Sequence, residues 1–544
     1  MPKYVKNAEN FIDRKKTAMY IKIDLWQGRL ARMVAILMMC AVPLYLNHHR
    51  YIGLTQHKFE FLVFCMIISL LLVVAIWVYR MTRNPRLTPQ SPLNIVDWAV
   101  LGFAVVTIIS TFASPFGNSM NVWIGIEEPF GRYNGALTQL LYVAIYFIIS
   151  RWYKPRERDF VLFSFTAILI SLIGIFQFFG MDFFNLWPND MAQHRVDNFF
   201  NILIRTTLGN TNIVSTYVSL AVLLTGFLFV RMPPPSKSSD SKKPGWKLQQ
   251  PLFLAASAFS FWMTVVANAD SGRIGIMVAM LFALPFIIES VKTLGRTLLL
   301  ASSWIAVYTL QTLFFQVMIM ETQTASSLAP FVAVFLALLA VGLVLTLRSK
   351  EPDSEAPTRW KLGVIVIIAC LIVGLVGVEI MGRVEVEEGA RGGLIWEMRE
   401  VLHGNLRDDF GTNRVYIWRH AMSVVPNNLL IGTGPDTFGY AFPIERQLFF
   451  GEFYDSAHNE YIQILVCQGI LGLIAYLLFL GAVFVKGVTK AFKEPIAAAV
   501  LIALLGYCAQ AFFNISHPVA SQIVWVFAGI LVSRKFNEKG RFEF

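Results

Sequence analysis

Long apolar runs separated by short polar connections set the pattern of this chain. They recur near 30–47, 59–79, 96–113, 135–150, 160–180, 208–230, 251–267, 273–289, 297–320, 327–347, 362–381, 460–485, 495–513 and 518–533. Crossing a hydrocarbon core as helix takes roughly 20 apolar residues. The pattern therefore predicts an all-α polytopic membrane protein with about 12–14 transmembrane helices. The short runs at 251–267 and 518–533 carry the weakest signal. The first run is not expected to be a cleaved signal. Its basic lead is long, and "AVPLYLNHHR" at its end offers no small-x-small cleavage site.

Composition agrees with this pattern. The 544 residues are 56% hydrophobic and 15% charged, with a mean hydropathy of +0.57, whereas a soluble chain carries about a quarter charged residues. Cys40, Cys65, Cys370, Cys467 and Cys508 all fall within apolar runs, with no disulfide or zinc spacing. The net charge of +11 is a matter of topology. With the N-terminus inside, the inner connections collect Lys and Arg ("YRMTRNPR", "RWYKPRER", "SKSSDSKKPGWK", "KGVTKAFK"), while outer ones such as "ETQTASS" and "NISH" hold few. The positive balance thus needs no nucleic-acid partner and fits a protein bedded in anionic lipid.

This orientation divides the chain into a basic cytoplasmic tail (1–29), eleven membrane helices (30–381), one long outer loop (382–457), three further membrane helices (458–533) and a cytoplasmic tail (534–544). The loop is the one extramembrane segment large enough to carry structure. In "GGLIWEMREVLHGNL", Leu394, Ile395, Met398, Val401 and Leu402 have the spacing of an amphipathic helix. "GTNRVYIWRHAMSVV" predicts a second helix, with Thr412 or Asn413 as N-cap and Arg414 in its first turn. Gly432, Gly434 and Pro435 in "IGTGPDTFGYAFP" predict a tight turn. The expectation is a small extracytoplasmic cap on the mouth of the bundle.

Candidate chemistry gathers on that side. His458 and Asn459 stand where the cap ends and the next membrane helix begins, followed by Gly469 and Gly472 as a small-residue pair for close helix packing. Arg273 opens the eighth span. Arg414 starts a cap helix, Arg132 precedes span four, Arg205 precedes span six, and Asn210 and Asn212 sit at the start of span six. Helix N-termini favour anions, arginine binds phosphate oxygens with a two-pronged fork, and an imidazole can take a proton from a hydroxyl. The set suits an anionic diphosphate on a lipid. It contains no paired-Asp metal signature, so no metal or other cofactor is expected.

"HNEYIQILVCQGILG", with "GTGPDTF" upstream, resembles the H-N-x9-G-x-x-G element of the O-antigen ligase and O-antigen polymerase superfamily. "NRVYIWRHA", "DSGRIGIMV" and "GNTN" are similar to its other recurrent stretches, in the usual order across roughly 200–480. The resemblance implies a fold of the multi-helix C-type glycosyltransferases. It also implies that a glycan is transferred from undecaprenyl diphosphate to a glycan, lipid or protein acceptor hydroxyl, outside the cytoplasmic membrane, inverting and without metal. His458 corresponds to the family's essential histidine, and Arg273 and Arg414 to its essential arginines. One departure stands out: Gly272 lies between Ser271 and Arg273, where members usually have Ser directly before the arginine. Ligase and repeat-unit polymerase use the same parts, and the H-N-x9-G-x-x-G match leans the reading toward ligase. A lipid-linked glycan transporter is a further alternative. Against it, ionisable residues such as Asp97, Glu289 and Glu379 lie near the ends of the runs rather than along a mid-membrane path.

Overall fold

In lipid every main-chain polar group must find its partner inside the segment, so long apolar runs fold as helices. The computed structural model describes residues 3–48, 53–83, 92–117, 120–125, 132–186, 205–232, 248–318, 328–349, 360–387, 393–447 and 454–533. The helices begin with α1 (Lys3–Ile36, continued by a π-helical turn Leu37–Ala41 and a last turn Val42–Leu44), α2 (Leu54–Arg83), α3 (Ile95–Phe112) and α4 (Met120–Ile124). Next come α5 (Ala136–Trp152), α6 (Glu157–Phe178), α7 (Thr211–Arg231), α8 (Gln249–Ala267), α9 (Asp270–Ile287) and α10 (Val291–Met318). Then follow α11 (Ala329–Arg348), α12 (Trp360–Glu387), α13 (Leu394–Leu402), α14 (Phe410–Met422) and α15 (Phe438–Ala441). The chain closes with α16 (Glu460–Ala491), α17 (Pro495–Gln510) and α18 (Gln522–Val532).

Among the described residues, 12 of these helices are long and apolar enough to cross a membrane, and α5 and α18 are shorter apolar helices. Together they answer to the apolar runs of the sequence one for one, and the protein is an all-α polytopic membrane protein. The short run at 251–267 is a full-length candidate span, whereas 518–533 forms only the 11-residue α18. Several charged connections that set the expected orientation (84–91, 233–247, 319–327 and 350–359), and the tail 534–544, lie outside the described residues.

The centre of the bundle is α7, which is almost wholly buried and packs against α8 and α17. Between α9 and α17 the backbones nearly touch: a Cβ on Gly275 would lie 2.6 Å from the Gly506 carbonyl oxygen. At the edge, α11 and α12 leave their apolar side chains open, as lipid-facing helices do. The three acidic residues weighed in the transport reading are all paired. Asp97 accepts from Arg151 at 2.7 Å and Tyr146 at 2.9 Å. Glu289 pairs with Arg231, and Glu379 with Arg383 at 2.7 Å.

The cap is built from α13, α14, α15 and two 3-10 turns, Val425–Asn428 and Ile444–Arg446. Tyr416, Ile417, Phe438, Phe442 and Tyr454 form its core, which continues into Val466 and Cys467 of α16. Helix α13 stands where the periodicity placed it but buries a different face. Trp396 is inside, against Phe410 and Val415, while Met398, Val401 and Leu402 are exposed. Arg399 and Glu379 tie α13 to α12, turning the apolar stripe away from the protein, the arrangement of a helix lying in a membrane interface.

The Gly-rich turn does more than end a helix. Gly469 (φ 71°, ψ −173°) breaks α16, and segment 429–434 fits into the break. Thr433 N–H donates to Val466 O (3.0 Å) and Gly434 N–H to Cys467 O (2.8 Å). Ile470 N–H donates to Leu429 O (2.7 Å) and Leu471 N–H to Leu430 O (3.2 Å). A broken helix frees carbonyl and amide groups that must be satisfied inside the protein, and this segment satisfies them. Ser110 Oγ adds a bond to Cys467 O and Ser114 Oγ one to Thr433 O, so α3 and its extension hold the junction. The pair expected to admit a neighbouring helix is therefore divided. Gly472 faces Val106 of α3, while Gly469 admits a main-chain segment instead.

Candidate active site

His458 occupies a position few residues would choose. Its φ of 46° is left-handed, which is uncommon for any residue but glycine. The flanking groups hold it there. Asn459 caps α16, its Oδ1 accepting from Tyr461 N–H (3.0 Å) and Ile462 N–H (3.1 Å). Ala457 N–H donates to Gln463 Oε1 (2.9 Å), and Ala457 O accepts from Trp418 Nε1 of α14 (2.8 Å). Both sides of the histidine are thus pinned, one by the membrane helix and one by the cap. The imidazole itself is not committed in this way: its Nδ1 is buried with no hydrogen-bond partner among the described residues. By contrast His517, also buried, takes a structural bond from Val519 N–H on its Nδ1.

Burial pushes the His458 imidazole down to about 3, with the charges of Arg132 and Arg414 acting in the same direction and Asp455 opposing them. The two guanidinium groups are placed differently. Arg132 forms a bidentate pair with Asp455, Nε to Oδ2 at 2.6 Å and Nη2 to Oδ1 at 2.5 Å. It was expected to stand as a supporting cation for an anion, but its fork is already occupied by this carboxylate. Arg414 keeps more in hand. Nη1 donates to Gly411 O (2.5 Å) and to Thr412 Oγ1 (3.4 Å), while its buried Nε has no partner among the described residues. Burial lowers its affinity for its proton, opposed by the charges of Asp270 and Glu397.

The helix start at Arg414 departs from the expected cap. Gly411, Thr412 and Asn413 are all left-handed, and neither Thr412 nor Asn413 caps by side chain. Tyr416 N–H instead donates to Asp408 O at 3.2 Å. The turn folds back to hold the guanidinium rather than the helix end.

Arg273 joins through Asp270. Nη1 lies 3.2 Å from Asp270 Oδ1, and Nη2 donates to Asn268 Oδ1 (2.8 Å) and Val265 O (3.3 Å). The Asp270 charge acts on Arg414 as well, so one carboxylate serves both arginines. The departure at Gly272 has a packing cause: a Cβ there would lie 2.2 Å from Ser215 Oγ of α7. Asn210 caps α7 by accepting from Asn212 N–H (2.8 Å), and Asn212 O accepts from Asn514 (2.9 Å). These asparagines are caps and braces at the same end of the bundle. Arg205 gives its carbonyl to the turn that follows it, and its charge is not among those acting on His458.

Backbone strain clusters here. The non-glycine left-handed residues among those described include Tyr133, Thr206, Asn268, Thr412, Asn413, Asp436 and His458. Tyr133 adjoins Arg132, Thr206 adjoins Arg205, Asn268 holds Arg273, and Asn413 precedes Arg414. Such conformations cost of order 1–3 kcal/mol each and persist where the surroundings over-determine them, commonly at functional sites. The sequence reading missed the carboxylates of this region: Asp270, Glu397, Asp436, Asp455 and the buried Glu460. The spacing "HNE" could have flagged Glu460, one step beyond the cap. Among the described residues, no group of three or more His, Cys, Asp or Glu is placed to hold a metal ion.

Residues 313–477 match the family model of the O-antigen ligase domain. The match supports membership of the O-antigen ligase superfamily. It spans the end of α10, the helices α11 and α12, the whole cap and the first half of α16, and so contains Arg414, His458 and Asn459. Arg273, Arg132, Arg205, Asn210 and Asn212 lie outside the matched segment. No match was found among curated proteins. An O-antigen ligase or polymerase-type enzyme, with glycosyltransferase-type activity, is what this superfamily supports.

Proposed function

We propose that the protein moves a glycan from undecaprenyl diphosphate to an acceptor hydroxyl on the outer face of the cytoplasmic membrane. The observation that carries this reading is His458: an imidazole fixed by both neighbours, kept neutral by burial and by two guanidinium charges, with Nδ1 uncommitted. A neutral imidazole can accept a proton, and the arginine charges that weaken it as a base are offset once a diphosphate anion binds beside them.

The reaction forms one bond and breaks another. The acceptor O–H gives its proton to His458 while its oxygen attacks the anomeric carbon. The bond from that carbon to the phosphate oxygen breaks on the opposite side, and its electron pair leaves on the diphosphate, inverting the centre. Arg273 and Arg414 hold the diphosphate and offset its growing charge; the buried, unpartnered Nε of Arg414 is a donor ready for such an oxygen. Asp270 balances the two arginines until the anion arrives. Arg132, locked to Asp455, acts on His458 by its field.

Ligase and repeat-unit polymerase differ only in the acceptor. The test is purified protein given a diphosphate-linked lipid glycan with either a candidate lipid or protein acceptor or with the donor alone, products read by mass. A single glycan on the foreign acceptor supports the ligase, and lengthening of the lipid-linked glycan supports the polymerase. Movement of intact donor across sealed vesicles, with no new glycosidic bond under either condition, would overturn transfer.

A further inference from the structure

Beneath the cap a cavity of about 30 Å³ lies between α3, α5, α16 and α18, lined by Asn134 and Glu460, which stand two residues from Arg132 and His458 respectively. Its polar lining includes Asn134, Asp436, Glu460 and Gln468, with Gln139, Gln463, Ser516 and the Tyr142 hydroxyl beside them. The hydrogen bonds around it leave oxygens facing inward. Gln468 Nε2 donates to Thr107 Oγ1 (2.6 Å) and Gln139 Oε1 (2.5 Å). Gln139 in turn is oriented by its Nε2 donating to Asn134 O (3.2 Å). This fixes which way the Gln468 amide points and leaves its Oε1 buried with no partner, on a residue 1% exposed. Asn134 Oδ1 is buried without a partner as well. Glu460 receives only neutral phenols, Tyr476 on Oε1 (2.7 Å) and Tyr507 on Oε2 (2.6 Å). Asp436 also lines the cavity, its Oδ2 accepting from Asn134 N–H (3.2 Å).

The lining is therefore rich in acceptors and carries two carboxylates in a low-dielectric interior. Burying ionised carboxylates is costly unless a counter-charge or donors accompany them. Oxygen-only ligands suit hard cations and not the softer metals. With two carboxylates, each Glu460 oxygen already shared with a phenol, the set is sparse for a divalent ion. The volume is that of one small ion or water, which needs about 10–15 Å³. We propose that this cavity binds one monovalent cation of sodium size, held by Gln468 Oε1, Asn134 Oδ1 and the Glu460 and Asp436 carboxylates. Its ligands come from the segment just before α5 (Asn134), from the 432–437 turn (Asp436), and from the first residue of α16 (Glu460) and the residue before its break (Gln468). A bound cation would fasten that turn to the helix that begins two residues after His458. The inference does not depend on the glycan reading, because binding is read by stability.

The test uses the full chain in detergent, with its unfolding midpoint measured in sodium, potassium and choline chlorides at equal ionic strength. Sodium should raise the midpoint along a saturating curve, potassium less, and choline not at all. Glu460→Gln keeps the shape of the site but removes a charge. Its midpoint in choline should be no lower than that of the parent, and the sodium-dependent rise should be lost. Asp436→Asn should reduce the rise in the same way. Equal midpoints in all three salts would mean that the cavity holds only water and would overturn the proposal. A full sodium response in both variants would place the ion elsewhere and overturn it equally. If Glu460→Gln fails to fold, the Asp436→Asn titration decides alone.

Discussion

Replacing Gly469 with alanine attacks the junction between cap and bundle at its narrowest point. A Cβ there would lie 2.4 Å from Leu430 O and C and 2.5 Å from Ile431 N, all main-chain atoms that no rotamer change can move. The residue's φ of 71° and ψ of −173° belong to a region almost reserved for glycine, at a cost of roughly 1–3 kcal/mol for another residue. Relief by ejecting segment 429–434 gives up four main-chain hydrogen bonds, at about 0.5–1.5 kcal/mol each. Relief by straightening α16 displaces the same bonds. Either way a few kcal/mol is lost between cap and helix, while alanine itself favours helix, so membrane insertion should survive. The cap carries Arg414 and α16 begins beside His458, so their register should slip. Gly469→Ala should insert at normal levels, show faster limited proteolysis within the cap, and lose at least about tenfold in transfer, since each ~1.4 kcal/mol is tenfold in rate. Parental proteolysis and transfer rates in a well-inserted Gly469→Ala protein would refute the junction's role.

Further outcomes bear on the site. Because burial and two arginines push the His458 imidazole down, it stays neutral as pH falls through the usual histidine value of about 6.5. The acid limb of kcat/KM should therefore lie below that pH, and Arg414→Gln, which removes one of those charges, should move the limb upward; a limb unmoved in the variant would contradict the coupling. Arg414→Lys keeps the charge and loses the fork, so KM should rise and kcat fall, whereas parental values would show that the fork is unused. Cysteine introduced at the exposed Leu406 should react with an impermeant reagent in intact cells, and labelling only after lysis would reverse the orientation. Transfer in excess chelator should continue near its untreated rate, and a collapse restored by magnesium would sink the arginine-clamp mechanism.

The membrane helices were legible because apolar run length is a strong and local signal, and the cap was legible from its polarity and helical spacing. The buried face of α13 was not, because Arg399 and Glu379 turn it and no periodicity records a long-range pair. The break at Gly469 was hidden for a similar reason. Within the sequence Gly469 and Gly472 read as a packing pair, and only the return of 429–434 from the cap shows what fills the break. Among the candidate residues, the place of His458 at the cap boundary followed from the change of polarity along the chain, and that of Arg414 near a cap helix start from helical spacing. The occupation of Arg132 by Asp455 did not, since 323 positions separate them. The carboxylates around Arg414 were not legible either, since Asp270 and Glu397 reach it from other elements.

The central claim is that His458 takes the proton while the arginines hold the diphosphate. The direct measurement is His458→Gln, purified with its fold intact, assayed in parallel for binding of lipid diphosphate and for single-turnover transfer. General-base catalysis is worth roughly 10²–10⁴-fold, so transfer should fall by that order while affinity for the lipid diphosphate stays within a few-fold of the parent. A folded His458→Gln protein that transfers glycan at the parental rate would contradict the account, leaving the histidine as a marker of where α16 meets the cap.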